Sequence, residues 1–130
     1  MDDIIFLSIE EVVVIHERMI EIGGGASGIR DIELLHSALG RPKASFSGEY
    51  LYPDILHMGS AILQSLVKNY PFVDGNKRTA FFATLRFFDK NEMQFIFDEV
   101  EIVEFMVRVD VENLSVQEIT NWFEKRLMKQ

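Results

Sequence analysis

The chain has 130 residues, 48% of them hydrophobic and 26% charged, and it contains no cysteine. That length suits one domain, residues 1–130, burying roughly two-thirds of its unfolded surface, which excludes whole-chain disorder; the lack of thiols excludes disulfide frameworks, thiolate zinc sites and cysteine nucleophiles. With 13 basic against 21 acidic residues the net charge is −8, a balance that repels nucleic-acid backbones and anionic lipid.

The opening Met1-Asp2-Asp3 is acidic where a secretory leader is basic. No uncharged apolar run approaches the roughly 20 residues of a membrane span, and a cytoplasmic protein is expected. Ser8 followed by Glu11 is a capping pair that starts a helix over 9–22. Gly23-Gly24-Gly25 ends it in a flexible turn. A second helix spans 31–40 and stops near Gly40 and Pro42. Residues 44–52, with Ser45, Ser47 and Gly48 among aromatics, form a hairpin-like flap.

Pro53 suits the first turn of a helix over 53–69. Residues 76–90, containing Phe81, Phe82, Leu85, Phe87 and Phe88, leave hardly any polar face, which places this helix at the centre of an all-α bundle. Over 99–111 two periods compete. Ile102, Phe105, Met106 and Val109 make a helical stripe, whereas Phe105, Val107, Val109 and Val111 alternate as in a strand. The capping pair Asp98 and Glu101 decides for helix, and Ser115 with Glu118 starts the last one over 116–128. The fold expected is a compact all-α bundle around one central buried helix, with a short flap.

The run Tyr70-Pro71-Phe72-Val73-Asp74-Gly75-Asn76-Lys77-Arg78-Thr79-Ala80 carries the chemistry. A helix start presents about half a positive charge and four unpaired N–H groups, where carboxylates are the usual residents. Here Lys77 and Arg78 occupy the first turn, each disfavoured by ~0.3–1 kcal/mol against the dipole. Gly75 lets the backbone turn and present its amides. Amides, ammonium and guanidinium converge as a phosphate site requires. The alternative is a solvated loop whose two cations point to water beside Asp74. A single glycine and the wrong spacing rule out a Walker A loop.

The run resembles the motif of the Fic/Doc superfamily, His-x-Phe-x-Asp/Glu-Gly/Ala-Asn-Lys/Gly-Arg, at every position but the first. Lys77 after the asparagine, then Arg78-Thr79-Ala80, is similar to the Doc (death-on-curing) branch. Ile15-His16, the glycine turn, Gly28–Asp31 and Ala38-Leu39-Gly40-Arg41 follow the order of Doc-like proteins. The resemblance implies a helical fold with ATP, accompanied by Mg²⁺, at the start of the motif helix. Lys77, Arg78 and the amides of Gly75 and Asn76 would hold phosphate, and the Asn76 side chain would fix the loop. Asp74 would orient the acceptor hydroxyl or hold Mg²⁺, and Phe72 would be a buried anchor. Lys77, where AMP-transferring members carry glycine, and Phe81, where they carry a second arginine, favour the Doc branch. That branch implies a toxin that phosphorylates a threonine of elongation factor Tu and arrests translation. Phe82 replaces a polar residue of the Doc pattern, removing one phosphate contact.

Tyr70 stands where the family has its catalytic histidine. A phenol of pKa ~10 is a poor base at neutral pH. His57, 13 residues away, lies roughly 20 Å off along a helix, and His16 and His36 are expected in ordinary partly buried or surface roles. The chain as written is thus expected to bind nucleotide and to transfer poorly. Tyr70 is either a one-base change that disarms a toxin or the mark of a natural pseudoenzyme, and the intact remainder of the motif favours the former. Three functions stay open: a toxin kinase, an AMP transferase, and a binding module without catalysis. The resemblance also implies an antitoxin whose tail folds into an apolar groove. Ser45 and Glu49 match an internal inhibitory motif only in spacing, since Tyr50 follows. The flap is the expected dock for an extended target segment.

Overall fold

A computed structural model describes residues 3–129; Met1, Asp2 and Gln130 lie outside it, and with them most of the acidic opening. Six helices follow in order: α1 Ile9–Gly23, α2 Ile32–Gly40, α3 Ile55–Asn69, α4 Asn76–Lys90, α5 Glu99–Val111 and α6 Val116–Glu124. A 3₁₀ turn over Arg41–Lys43 leads into the strands β1, Ser45–Phe46, and β2, Glu49–Tyr50. These pair antiparallel, Ser45 opposite Tyr50 and Phe46 opposite Glu49. Ser47 and Gly48 both take positive φ, as a two-residue hairpin turn requires. The chain is mostly α with one small hairpin, as its patterning predicts.

Two of the three expected capping pairs form as their spacing dictates. Ser8 and Glu11 exchange hydrogen bonds at the start of α1, and Ser115 and Glu118 do so at α6. At α5 the Asp98 carboxylate accepts from the Val100 N–H and the stretch with two competing periods is a helix, but Glu101 does not reach back to Asp98 as expected, because it pairs with Arg126. Two boundaries differ from expectation. Asp54, accepting from the His57 N–H, caps α3 and leaves Pro53 outside the helix. The last helix stops at Glu124, because the chain turns so that Phe95 and Leu127 pair as an isolated bridge.

The centre of the bundle is also not where the apolar run places it. Helix α3 is buried from Leu56 to Val67 apart from His57 and Gln64, and α2, α4, α5 and α6 all pack on it. Its small Gly59, Ser60 and Ala61 admit neighbours closely; a Cβ on Gly59 would lie 2.3 Å from the Phe88 ring. Helix α4 lies between α3 and α1 and turns Phe82 and Arg86 toward solvent. A run of apolar residues reports total burial, but not which of two buried helices is flanked on all sides. Phe123 anchors the far end, packed with Phe81, Phe88, Phe95, Phe97, Phe105 and Trp122.

His57 joins the starts of α3 and α6, Nδ1 to Asp54 at 2.7 Å and Nε2 to Gln117 at 3.0 Å. Burial lowers its pKa, but both hydrogen bonds and the Asp54 and Glu124 charges outweigh that and raise it above 6.5. Two acceptors on one imidazole select the protonated ring. The stability this clamp adds is full below the unfolded pKa of ~6.5 and is lost as pH rises through the higher folded value. The melting temperature is therefore expected to fall between pH 6 and pH 8.5, with a smaller fall in His57→Gln.

Candidate active site

The motif run crosses from the end of α3 to the start of α4. Tyr70 ends α3 in the left-handed region, φ 46 and ψ 56, a conformation uncommon outside glycine and asparagine. Arg30 holds it there: its Nε donates to the Tyr70 carbonyl at 2.6 Å and its Nη2 to the Asn69 carbonyl at 2.7 Å. These bonds place a cation on the C-terminal end of the α3 dipole. Next, Arg30 and Asp31 N–H donate to the Pro71 carbonyl, and Val73 N–H donates to Gly28. The stretch 28–31 thus lies along 71–73 as a short ladder, which is why the early glycine turn accompanies the motif.

Phe72 is 1% exposed, and His16, also 1% exposed, stacks on it at 3.9 Å and 8°. The His16 Nε2 lies 2.8 Å from the Asp74 carbonyl oxygen and donates to it. The partly buried or surface position expected for His16 is thus corrected: it is fully buried beneath the motif loop. Its sequence signal is weak, one polar residue on the buried face of α1. His36 is exposed, and His57 sits on its clamp at the other end of α3.

Asn76 closes the loop from the opposite side. Its Nδ2 donates to the Phe72 carbonyl and its Oδ1 accepts from the Phe72 N–H, both at 2.9 Å. Gly75 takes φ 73 as the N-cap of α4 and supplies no capping side chain. A Cβ there would meet Ile20 Cδ1 at 3.2 Å, so the position needs glycine for both φ and space. Thr79 N–H makes the first α4 bond back to Gly75. Among the described residues the N–H groups of Gly75, Asn76, Lys77 and Arg78 have no hydrogen-bond partner in the protein. Those amides, with the α4 dipole behind them, form an open anion seat.

The charged side chains divide around that seat. Arg78 turns to the end of α1, donating to the Met19 carbonyl at 2.8 Å and the Gly24 carbonyl at 3.1 Å. It braces the loop, with Nη2 still beside Gly75. Asp74 accepts the Ala26 N–H on Oδ2 at 2.8 Å, tying the loop to the turn after α1. Lys77 reaches across to α5, its Nζ 3.3 Å from Asp110 Oδ2. The Tyr70 hydroxyl donates to Asp110 Oδ1 at 2.7 Å. Lys68 donates to the Asp110 carbonyl and lies 3.8 Å from its carboxylate.

Asp110 is the residue that sequence reading misses. Its only signal is an acidic side chain in the last turn of α5, where the helix dipole disfavours a negative charge. The Tyr70 hydrogen bond, then the lysines, hold its pKa below the usual value despite some burial. The same bond, with some burial and the Asp110 charge, raises the phenol above 10. Tyr70 is thus a hydrogen-bond donor and no base at neutral pH. No cluster of three or more metal-ligating side chains occurs among the described residues. A Mg²⁺ at Asp74 would need phosphate and water oxygens to complete its shell.

A helical bundle with an uncapped helix start, a left-handed glycine and an asparagine-locked loop defines a class, and comparison with known proteins agrees. The Fic/DOC family model matches residues 6–88, and the chain belongs to that family. Two relatives place it near the Doc branch. It is 43% identical over 75 residues to Toxin Doc of Mycolicibacterium smegmatis, a match covering 58% of each chain. It is 28% identical over 115 residues to Protein kinase doc of Escherichia phage P1, covering 88% of this chain and 90% of the relative.

Proposed function

We propose that this chain is a Doc-type toxin scaffold that seats the terminal phosphates of ATP at the start of α4. The observation that carries the reading is the set of unpartnered amides at Gly75–Arg78, with Lys77 in the same helical turn and its ammonium held on Asp110. Lys77 supplies the charge and Gly75 and Asn76 the amides, while Arg78 keeps the loop in place. The free Asp74 oxygen faces the acceptor hydroxyl or Mg²⁺. The names of the two relatives, a toxin and a protein kinase, support phosphoryl transfer to a protein hydroxyl, with a threonine of elongation factor Tu as the expected acceptor. Transfer of AMP is the lesser reading, since Phe81 is buried in the core and offers no cation for the outer phosphates.

With Tyr70 in place the site binds and transfers poorly. The bond from Tyr70 to Asp110 also favours a second reading, a scaffold retained for binding alone. In either case a separate antitoxin restrains the toxin. Its amphipathic tail fits the apolar surface around Phe82, which continues into a groove of about 450 Å³ along Val14, Ile15, Met19 and Leu85. No helix among the described residues is long and apolar enough to cross a membrane.

Titration calorimetry with ATP tests the seat. The chain is expected to bind, and Lys77→Ala to bind about tenfold more weakly, the usual magnitude for one charge-assisted phosphate contact. Equal affinity in the two proteins would remove the phosphate assignment.

A further inference from the structure

We infer that Asp110 is a positioning residue: its carboxylate is an internal counter-anion that holds Lys77 and the Tyr70 hydroxyl on α5, and a nucleotide phosphate must compete with it for Lys77. The inference rests on the phosphate seat proposed above and adds to it the group that sets its affinity. Three donors from two different elements converge on this residue. Tyr70 and Lys68 come from α3, and Lys77 comes from the first turn of α4. Arg108, on the same helix as Asp110, is paired with Glu112 instead.

The geometry makes the carboxylate a rival of phosphate. Lys77 Nζ lies 3.3 Å from Asp110, and a phosphate seated on the open amides of the same helical turn would draw on the same ammonium. Carboxylate and phosphate sharing one ammonium are like charges at close range, and they repel appreciably in a surface dielectric. The Asp110 side chain is 18% exposed, which limits screening by solvent. A carboxylate there is also disfavoured by the α5 dipole, and its lysine partners offset that cost. Ordering is a further consequence. Tyr70 bound to Asp110 ties the left-handed residue at the end of α3 to α5, so the motif is held from both sides before any ligand arrives.

Calorimetry with ATP, and separately with inorganic triphosphate, on the parent chain, Asp110→Asn and Asp110→Glu tests this. The asparagine keeps an acceptor for Tyr70 and removes the charge. Asp110→Asn is expected to bind both probes about tenfold more tightly than the parent, and Asp110→Glu, which restores the charge, to bind like the parent. The gain is expected to shrink at 0.5 M salt, where screening weakens the repulsion; a structural loosening would not respond in this way. Should Asp110→Asn be too unstable to assay, Asp110→Ser makes the same charge change and carries the same expectation. Binding of both probes with equal or lower affinity after loss of the charge overturns the counter-anion role alone. Absence of binding in every variant overturns the phosphate seat and the counter-anion role together.

Discussion

Replacing Tyr70 with histidine is expected to raise transfer of the γ-phosphoryl group by about 10²–10⁴-fold, the usual contribution of a positioned general base. The phenol in the parent is unsuited twice over. It donates its proton to Asp110 at 2.7 Å, and that bond moves its pKa further above 10. An imidazole near pKa 6.5 is half or more unprotonated at neutral pH and accepts the hydroxyl proton as the oxygen attacks phosphorus. The backbone there is already held by Arg30 on the Asn69 and Tyr70 carbonyls, so the substitution meets a placed residue. Incubation of Tyr70→His with cell extract and ATP labelled at the γ or the α position reads the outcome. γ-Label on a protein is the expected result, with growth arrest on expression. α-Label would assign AMP transfer instead. Nucleotide binding with no labelled protein would leave the binding scaffold as the function.

His16→Ala is expected to destabilise the fold by about 3 kcal/mol, the range for truncating a large buried ring. The imidazole is 1% exposed, stacks on Phe72 and donates to the Asp74 carbonyl. Its loss opens a cavity beneath the loop and frees the carbonyl next to Gly75. His16→Phe separates the two effects. It preserves most of the packing and removes the hydrogen bond, for a cost of about 1 kcal/mol. Urea denaturation measures both, and ATP affinity is expected to fall in both, because the loop that presents the amides loosens. A stability within 0.5 kcal/mol of the parent for His16→Ala would show that the stack contributes nothing.

How far the sequence reads toward these results differs from residue to residue. Ser8, Asp98 and Ser115 mark helix starts because each accepts an N–H within the first turn, whereas Glu101, expected to reach back to Asp98, is taken by the distant Arg126. Asn76 and Gly75 are legible for the same reason: each acts within four residues of itself. Pro53 places the helix start two positions early because Asp54 is the better cap. The apolar stretch in α4 overstates its centrality, since the small residues of α3, above all Gly59 beneath Phe88, allow neighbours to surround that helix instead.

What the sequence determined by itself is the set of helices, the flap and the loop whose residue types suit an anion, since these follow from spacing and from the conformational limits of glycine, proline and short polar side chains. Only the tertiary structure decided that His16 lies under the loop, that Arg78 braces α1, and that Lys77 shares a carboxylate with Tyr70. His16 and Asp74 are 58 residues apart and Tyr70 and Asp110 are 40 apart. Contacts across such separations depend on how whole helices pack, and no local pattern in the chain encodes that packing.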